Sequence, residues 1–591
     1  MACSMHNTYQ IDDIEKIHEK FQNLIKHQDV FFEKITNEEN IKSFLWDLLS
    51  KEQDLHYLKR FYSIPYKNST ILLYARHSNL FTQDQLRDIE NTLRICRGKS
   101  HSGVLVITIF TSAYPEYVDK NGILKQQAFS CKWNCHYCPN EPGQPRSYLQ
   151  GEPGVLRANT HEFDCCRQMW SRMEALYNTG HPIDKLEVLV LGGTWESYPI
   201  EYRNNFIRDM YYAANTFWSN PDERRIKGSL AIERDANRDA LCKVIGLTLE
   251  TRPDTIDEDS IKQMRYYGCT RVQLGIQHLN DSILEKINRQ CPTWKTIRAI
   301  KLLKDWGYKI DAHWMPNLPS STPEIDRHMF LEQLLKHETS PEKIKIPFEN
   351  SILHEWILYH LSFPEFQMDQ WKIYPCEVVP FTEIEKWYKE GTYVPYGQKE
   401  MTELLMETKK EIFPWIRLNR VIRDIPSDYI MASGDHPSLR QELLNKMKKR
   451  GWKCNCIRCR EIKQQKMPDQ LYYRVYQYGS SGGQEFFIAC EDESANILCG
   501  FVRLRIIPNK SIAWIRELHV YGQLIKTISP DPLSNKVQNT GIGRTLMKLA
   551  EDISNFYNRT IIKVIAGEGT KRYYEKLGYE EGEYGYMVKT L

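Results

Sequence analysis

Three cysteines share one short stretch of the chain, Cys131-Lys132-Trp133-Asn134-Cys135-His136-Tyr137-Cys138. The gaps between them are three and two residues. Three thiolates on one loop can bind three corners of a four-iron four-sulfur cluster and leave the fourth iron open to a ligand. A zinc loop is the alternative interpretation of the same residues. The spacing, just after a strand-like segment, favours the iron–sulfur cluster.

Short β-rich runs alternate with helical stretches around this loop. The predicted strands are Val104–Phe110, Leu186–Leu191, Val244–Leu249, Arg271–Ile276, Lys309–Trp314 and Lys343–Pro347. The segments between them are long enough for crossover helices, which indicates a parallel sheet. Six such units predict an α/β fold, either a partial (β/α) barrel or an open sheet. In both cases we expect the active site at the carboxyl ends of the strands.

The cysteine loop and its placement resemble the radical S-adenosylmethionine (SAM) superfamily. Leu191-Gly192-Gly193-Thr194 ends the second predicted strand and is similar to the glycine motif of that superfamily. Glycines at such a position let the main chain approach a ligand closely. Taken alone, Gly-Gly-Thr is also typical of an ordinary strand-to-helix turn. The resemblance implies a four-iron cluster on the three cysteines and SAM on Gly192, Gly193 and Thr194.

A second motif stands near the C-terminus, Gln538-Asn539-Thr540-Gly541-Ile542-Gly543-Arg544, just before a predicted helix. Backbone N–H groups at a helix N-terminus can cradle the pyrophosphate of coenzyme A. The pattern resembles the Q/R-x-x-G-x-G motif of GNAT acetyltransferases. Antiparallel-like strands precede it, so we expect an α+β GNAT domain that binds acetyl-CoA.

Two flanking stretches complete the predicted acetyl-CoA site. The strand that contains Glu517-Leu518-His519-Val520 would diverge from its neighbour and expose main-chain groups to the pantetheine arm. After the helix come Tyr573 and Tyr574, and a tyrosine at this place in the family can protonate the leaving thiolate.

A third cysteine cluster lies between the two predicted domains, with Cys454, Cys456 and Cys459 spaced as C-x-C-x2-C. Three thiolates this close suit zinc, which needs a fourth ligand from elsewhere. Cys376 is the first candidate, and a histidine is the alternative. We expect a structural zinc site that fixes the linker.

The linker is also strongly basic. Residues 440–466 contain ten Lys or Arg and two Glu, although the net charge of the whole 591-residue chain is only +3. Basic residues with interleaved aromatics suit a nucleic-acid backbone, whereas a solvated helix face is the plainer interpretation. The residues that we expect to contact nucleic acid are Arg417, Arg420, Arg423, Lys448, Lys449 and Arg450.

These patterns divide the chain into four predicted parts. Residues 1–100 form a helical N-terminal region that can offer a surface to tRNA, 101–375 the radical SAM domain, 376–466 the basic zinc-bearing linker and 467–591 the GNAT domain. No apolar stretch approaches the ~20 residues of a membrane span. No signal pattern is evident at the N-terminus, so we expect a cytoplasmic protein without membrane contact.

A radical SAM domain followed by a GNAT domain resembles the family of the Elongator catalytic subunit. Long stretches carry this resemblance, namely residues 246–254, 271–277, 313–319, 372–375 and 516–522. That family acts on the wobble uridine (U34) of tRNA. The resemblance implies that a 5′-deoxyadenosyl radical takes hydrogen from the acetyl group of acetyl-CoA, that the carbon radical adds to C5 of the uridine, and that hydrolysis leaves 5-carboxymethyluridine.

The resemblance also implies roles for single residues. Glu250 and Gln277 line the SAM pocket, and Lys372 with the Tyr573–Tyr574 pair lies near the acetyl group. Further partners are the tRNA anticodon stem-loop and an electron donor. The three linker cysteines resemble the prokaryotic members, so we expect the chain to act alone or as a homo-oligomer.

Two other functions fit parts of the sequence. One is a protein lysine acetyltransferase that uses only the GNAT domain. The other is a tRNA-binding module whose SAM site is inactive. Intact cysteines at Cys131, Cys135 and Cys138 argue against the second.

Overall fold

A computed structural model of the chain describes residues 37–78, 80–94, 103–348, 352–433, 438–463, 465–521 and 541–591. Among these residues, no helix combines the length and the apolar character that a membrane crossing requires. The first 36 residues of the predicted helical N-terminal region lie outside the described residues, as do Gln538, Asn539 and Thr540.

The described part of the N-terminal region is helical, as predicted. Its helices are Glu38–Ser50, Leu55–Phe61, Asn68–His77 and Gln83–Leu93. Their apolar faces form a separate small core around Ile41, Phe44 and Ile71. Two arginines attach this core to the next domain, because Arg76 and Arg94 donate hydrogen bonds of 2.7 Å to the carbonyls of Tyr177 and Gly180.

Seven parallel strands form the first sheet, which is the partial barrel. In spatial order they are Leu105–Phe110, Lys185–Leu191, Lys243–Thr251, Arg271–Gln277, Lys309–Trp314, Gln370–Ile373 and Arg417–Arg420. Parallel neighbours require crossover connections, which helices supply here. Those of the barrel are Pro153–Thr160, Cys165–Asn178, Ile200–Asn215, Leu230–Ala236, Glu258–Tyr266, Asp281–Lys286, Thr293–Asp305 and Pro323–Arg327. Five of the predicted strands are confirmed.

The predicted sixth strand, Lys343–Pro347, is wrong. The structure has a short strand at Glu342–Lys343, and it pairs antiparallel with Leu353–Tyr359 in the other large sheet. Gln370–Ile373 and Arg417–Arg420 complete the first sheet instead. The alternation of apolar and polar residues in a short strand shows that one of its faces is buried. It does not show which neighbouring strand it pairs with, so the sequence does not reveal which sheet the strand joins.

Nine strands form the second sheet, which contains the GNAT domain. In spatial order they are Glu580–Glu581, Met587–Thr590, Ile561–Val564, Ile512–Val520, Leu498–Ile506, Gly483–Glu491, Tyr472–Ser480, Leu353–Tyr359 and Glu342–Lys343. Two helices belong to this domain, Ile542–Phe556 and Lys571–Glu575. The last two strands of the order come from the barrel part of the chain, so the second sheet is built from two distant segments.

The linker is packed into the barrel. It contributes the strand Arg417–Arg420 and four helices, Glu383–Lys389, Gln398–Glu411, Leu439–Lys449 and Ile457–Arg460. One hydrophobic cluster contains side chains of both sheets and of the linker, from Leu105 through Leu418 to Met587. The two predicted catalytic domains therefore share one core.

Candidate functional site

The cysteines of the loop 131–138 lie at the carboxyl ends of strands of the first sheet. The Sγ of Cys131 is 3.2 Å from the hydroxyl oxygen of Thr194, which follows the strand Lys185–Leu191. The thiols of Cys135 and Cys138 are hydrogen-bonded to each other. This is the edge at which parallel α/β sheets place their active sites.

Two buried guanidinium groups contact Cys135. The Nη1 of Arg252 is 3.4 Å from its Sγ, and the Nη1 of Arg289 is 3.6 Å from it. The hydrogen bond with Cys138, followed by the positive charges of Arg289 and Arg252, holds the pKa of the Cys135 thiol well below its ordinary value. The thiolate, which is the form that binds iron, is therefore favoured.

The loop cysteines are less convergent than the cysteines of the linker. In the described part of the chain, Cys454, Cys456 and Cys459 are the one group of metal-binding side chains whose ligand atoms all lie within 4.8 Å of one another. The sulfurs of the loop 131–138 are spread more widely. Thiolates that each bind a different iron need not converge on one point, so the spread fits a four-iron cluster.

The glycine motif forms a close-fitting turn beside the cysteine loop. Gly192 and Gly193 have φ angles of +133° and +123°, which side chains rarely adopt. A Cβ on Gly192 would lie 2.1 Å from the hydroxyl oxygen of Thr111, and one on Gly193 would lie 3.0 Å from the carbonyl oxygen of Ser130. Both glycines are therefore required by the close packing of this turn against Thr111 and Ser130.

Four polar side chains occupy one face of the first sheet near the carboxyl ends of its strands: Glu250, Gln277, His313 and Lys372. Tyr148 donates a hydrogen bond of 2.6 Å to Glu250, and the Nδ1 of His313 is 3.6 Å from the other oxygen of that carboxylate. Within the described residues, the buried Oε1 of Gln277 and Nε2 of His313 have no hydrogen-bond partner. Such atoms require an explanation, and a polar ligand provides one.

Burial perturbs the ionisation of these groups. It raises the pKa of Glu250 above its ordinary value and lowers the pKa of His313 well below it. Burial also lowers the pKa of Lys372 to about 8, against the opposing charges of Asp311 and Glu250. Perturbed pKa values of this kind concentrate at functional sites.

The polar face continues along the strands toward their amino ends. Lys372 donates a hydrogen bond of 2.7 Å to Gln273, and its Nζ is 3.7 Å from a carboxylate oxygen of Asp311. In the next layer the Nη2 of Arg271 is 2.6 Å from a carboxylate oxygen of Glu187. The Nη1 of Arg271 donates a hydrogen bond of 3.0 Å to the Oε1 of Gln370. Every strand from 185–191 to 370–373 therefore contributes a polar residue to this face.

The GNAT domain closes the amino end of the polar face. Glu517 lies on the strand predicted to contact the pantetheine arm. Its carboxylate is 3.5 Å from the Nζ of Lys309 in the first sheet and accepts a hydrogen bond of 2.9 Å from the Nε of Arg503. Although burial opposes it, the charges of Lys309 and Arg503 lower the pKa of Glu517 to about 2. Nearby, Arg417 of the first sheet donates 3.0 Å to the hydroxyl of Tyr521. The predicted acetyl-CoA strand thus touches the interior of the barrel.

The described part of the pyrophosphate motif begins at Gly541, the N-cap of the helix Ile542–Phe556, with a φ of +85°. A Cβ on Gly543 would lie 2.9 Å from the hydroxyl oxygen of Tyr573. The positive charge of Arg544 acts on Tyr573, while burial raises the pKa of that phenol. The structure therefore brings the end of this motif and Tyr573 together, and Tyr574 lies buried beside it.

The strand Ile512–Val520 extends beyond the parallel neighbour with which it pairs. Its parallel pairing with Ile561–Val564 ends at Ile515, so Glu517, Leu518, His519 and Val520 run past the end of the neighbouring strand. Their other side stays paired, and His519 stacks on Phe501 at 6.0 Å.

The linker cysteines form a compact site for a single metal ion. Cys454, Cys456 and Cys459 are buried or half-buried, and their sulfurs lie within 4.8 Å of one another. The Nζ of the fully buried Lys409 is 3.6 Å from Cys454 Sγ and 3.9 Å from Cys459 Sγ. Three convergent thiolates fit zinc.

Cys376 does not join this site, contrary to the expectation for the fourth ligand. It is buried in a different apolar cluster, together with Cys135, Leu318 and Tyr393. Burial there raises the pKa of its thiol to about 12. Cys376 follows the strand Gln370–Ile373 to the carboxyl edge of the first sheet, which carries it away from the linker cysteines.

Two of the four arginines expected to contact tRNA are paired inside the protein. Arg417 forms an ion pair with Glu461, and Arg423 is 2.6 Å from Glu152. Both side chains are mostly buried, so the structure does not place them on a tRNA-binding surface. The reason is that Arg417–Arg420 is a sheet strand, which the spacing of the arginines did not reveal. Arg420 remains half-exposed beside Asp424.

Lys448, Lys449 and Arg450 lie exposed at the end of the helix Leu439–Lys449. Lys448 and Lys449 make no ion pair among the described residues, whereas Arg450 pairs with Glu403. These cations at a helix C-terminus are also favourable to the helix dipole.

Sequence reasoning missed Arg252, Arg289, His313 and Lys409. Arg252 and His313 lie at strand ends within stretches that carried the family resemblance, so their positions were an available signal. Arg289 and Lys409 gave none, because each reaches its cysteine from a segment distant in the sequence.

Comparisons with known proteins agree with this geometry. Residues 201–325 match the radical SAM superfamily, residues 368–449 the radical SAM C-terminal domain and residues 453–579 the acetyltransferase (GNAT) family. The chain is therefore an enzyme that combines a radical SAM domain with a GNAT acetyltransferase domain.

Similar proteins span most of the chain. A tRNA uridine(34) acetyltransferase of Dehalococcoides mccartyi is 34% identical over 83% of this chain and 98% of its own length. Human Elongator complex protein 3 is 34% identical over 77% of this chain and 80% of its own. The solved structure of archaeal Methanocaldococcus infernus Elp3 with an N-terminal deletion has a TM-score of 0.64 at 32% identity, covering 83% of this chain and 100% of that one. The chain thus belongs to the family of tRNA uridine(34) acetyltransferases and Elongator complex protein 3.

Proposed function

We propose that this enzyme modifies the wobble uridine of tRNA and that its product carries a carboxymethyl group on C5. The names of the relatives support a tRNA uridine as substrate. The carboxymethyl group is what the family resemblance implies: radical chemistry at the SAM site would attach the acetyl group of acetyl-CoA to C5 of the uridine, and hydrolysis would then release coenzyme A. A cytoplasmic location and an external electron donor belong to the same proposal.

One observation carries this proposal most directly. A continuous row of polar residues lines the first sheet from Glu517, at the GNAT domain, to Lys372 and Glu250, at the edge that holds the cysteine loop. Barrel interiors are more often filled by branched apolar side chains. A polar interior that connects two sites suits a reaction in which the groups held at each end meet.

The chain supplies binding groups for each cofactor. Cys131, Cys135 and Cys138 would hold the four-iron cluster, and the main chain of Gly192 and Gly193 would hold SAM. Thr194, Glu250 and Gln277 would also contact SAM. The helix start at Gly541, Ile542, Gly543 and Arg544 would bind acetyl-CoA. When bound, the cluster and SAM supply a 5′-deoxyadenosyl radical, and acetyl-CoA supplies the two-carbon unit.

Two side chains are placed to handle protons and charge. Lys372 is buried, has a pKa of about 8 and faces Glu250, so it can hold or release a proton near neutral pH. The hydroxyl of Tyr573 lies beside Gly543, where it can donate a proton to a thiolate that leaves the acetyl group. Lys372 would act near the uridine, which accepts the two-carbon unit, and Tyr573 would act near acetyl-CoA, which donates it.

The base must leave its stack to reach this interior. Enzymes that react with a base extrude it or act on single-stranded nucleotides, and an anticodon loop presents such nucleotides. The exposed cations Lys448 and Lys449, with Arg420 and Arg450, would neutralise phosphates of the anticodon stem-loop.

Mass spectrometry of tRNA nucleosides tests the proposal. Anaerobic incubation of the full chain with tRNA, SAM, acetyl-CoA and a reductant should yield carboxymethylated uridine. The variant Cys131→Ser should yield none. The variant Cys165→Ser should retain activity, because that thiol is buried outside both cysteine clusters, where it donates 3.3 Å to the carbonyl of Phe206. Acetylation of protein lysines that survives Cys131→Ser, with no tRNA product from the unsubstituted chain, would contradict the proposal.

A further inference from the structure

Arg289 reaches the cysteine loop from a segment outside the sequence motifs described above. It lies just before the helix Thr293–Asp305 and is almost wholly buried. Its Nη1 is 3.6 Å from the Sγ of Cys135, and its Nη2 donates a hydrogen bond to the carbonyl of Gly275 in the first sheet. The guanidinium is thus fixed between the sheet and the cluster ligand.

Gly275 makes this position available. A Cβ there would lie 3.1 Å from the Nη2 of Arg289 and 3.2 Å from the Nε2 of Gln277, which is tighter than ordinary contacts. Gly275 stands between Gln273 and Gln277 on the strand, where the alternation of the sheet would place a polar side chain. The missing side chain gives Arg289 room to enter the interior face.

The charge of Arg289 has no carboxylate partner among the described residues. The acidic groups that face it are the thiols of Cys135 and Cys291 and the phenol of Tyr137. Its buried Nε has no hydrogen-bond partner in the same part of the chain. A buried and unpaired positive charge is costly, so a negative charge nearby must offset it.

Arg252 differs from Arg289 in this respect. It also contacts Cys135, through Nη1 at 3.4 Å, but its Nε and Nη2 donate hydrogen bonds of 2.9 and 3.0 Å to the two oxygens of the Asp254 carboxylate. The positive charge of Arg252 is therefore offset locally. Of the two arginines that contact Cys135, only Arg289 therefore lacks a carboxylate partner among the described residues.

We propose that Arg289 is a positioning residue that sets the reduction potential of the four-iron cluster. This inference rests on the cofactor assignment in the proposed function. A one-electron donor adds one electron to the cluster and makes the site more negative by one charge. A fixed cation in a buried environment stabilises that more negative state, and a hydrogen bond to a ligand sulfur acts in the same direction. Arg289 therefore makes the cluster easier to reduce.

A redox titration of the full chain, followed by electron paramagnetic resonance without SAM, tests the role. Arg289→Gln removes the charge and retains a hydrogen-bond donor, whereas Arg289→Lys retains the charge. We expect Arg289→Gln to disfavour reduction at least tenfold, a downward shift of about 59 mV for one electron. Arg289→Lys should restore most of the difference. Iron and sulfide content, measured on each variant, confirms that the cluster is complete.

Three results would overturn the inference. One is an unchanged potential in Arg289→Gln with a complete cluster. Another is an equal downward shift in Arg289→Gln and Arg289→Lys, since charge would then have no part. The third is a shift that appears only after SAM is added, because Arg289 would then act on SAM and not on the cluster. A complete lack of iron in the unsubstituted chain after reconstitution would instead contradict the proposed cofactor, and this inference with it.

Discussion

Arg516 of the GNAT sheet and Asp369 of the barrel form an ion pair in which neither side chain is exposed to solvent. The Nη1 of Arg516 is 2.9 Å from the carboxylate of Asp369, and Arg516 also contacts Glu485 at 3.0 Å. Asp369 further accepts 2.9 Å from the backbone N–H of Ile310. One carboxylate therefore connects the strand predicted to contact acetyl-CoA with the sheet whose carboxyl edge carries the cysteine loop.

Asp369→Asn should destabilise the whole protein. The substitution leaves Arg516 buried without its main counter-charge, and removal of one partner of a buried ion pair costs about 3–5 kcal/mol. Urea denaturation followed by fluorescence should show both domains unfolding at a lower denaturant concentration in one transition.

Arg572→Ala is the matched control for that variant. Arg572 and Asp239 also join the two domains, at 2.8 Å, but both side chains are more than half exposed. Solvent screens such a pair, so we expect no measurable change. Equal effects of Asp369→Asn and Arg572→Ala would show that burial of the first pair is unimportant.

Gly192→Ala should weaken the binding of SAM. The added Cβ would meet the hydroxyl of Thr111 at 2.1 Å, and the φ of +133° adds strain of about 1–3 kcal/mol. Isothermal titration with SAM should show an affinity at least about tenfold lower, the factor that about 1.4 kcal/mol represents. Gly391→Ala serves as the control: its φ is +73° but no atom lies within 4 Å of the new Cβ. Unchanged SAM affinity in Gly192→Ala would remove this turn from the site.

The linker cysteines should bind one zinc ion that stabilises the protein. We expect Cys456→Ser to lose zinc and to lower the melting temperature, because metal-binding free energy contributes to folding. Elemental analysis should show that its iron content is unchanged. Cys376→Ser should retain zinc, since Cys376 lies in another cluster. Loss of zinc from Cys376→Ser would contradict the arrangement described above.

Activity should fall as the pH rises through about 8 if Lys372 acts as an ammonium group. Burial lowers the pKa of Lys372 to about 8, so the charged form predominates below that pH and the neutral form above it. Lys372→Arg keeps its charge throughout this range and should move the alkaline fall to higher pH, even if it reduces the rate. A pH–rate profile of nucleoside formation distinguishes the two enzymes. Identical alkaline limbs would assign the fall to another group.

Local patterns revealed most of the fold, because runs such as Leu186–Leu191 and Lys309–Trp314 carry their own periodicity. These local patterns did not predict which sheet a strand joins, because that depends on the strand with which it pairs. Lys343–Pro347 was predicted as a barrel strand, but the strand found there, Glu342–Lys343, joins the GNAT sheet. Arg417–Arg420 was predicted as a basic surface and joins the barrel. Pairing between distant segments is not encoded in a short window of sequence.

The candidate site shows the same division. The motifs at Cys131 and Gly543 predicted where the cofactors would bind, because their residues lie together in the chain. The polar interior that joins them arises from single residues on separate strands, such as Gln273, Asp311 and Lys372. Each looks ordinary alone, and only the sheet register brings them side by side.

The hairpin at residues 342–359 limits how this protein can be divided. A fragment that starts at residue 467 would contain the GNAT motifs but would lack Leu353–Tyr359, which pairs with Tyr472–Ser480 along most of its length. Tyr472–Ser480 would then become an edge strand with unpaired N–H and C=O groups, and such edges promote aggregation. Isolated expression of the acetyltransferase half should therefore yield insoluble material unless residues 342–359 are supplied as a second chain.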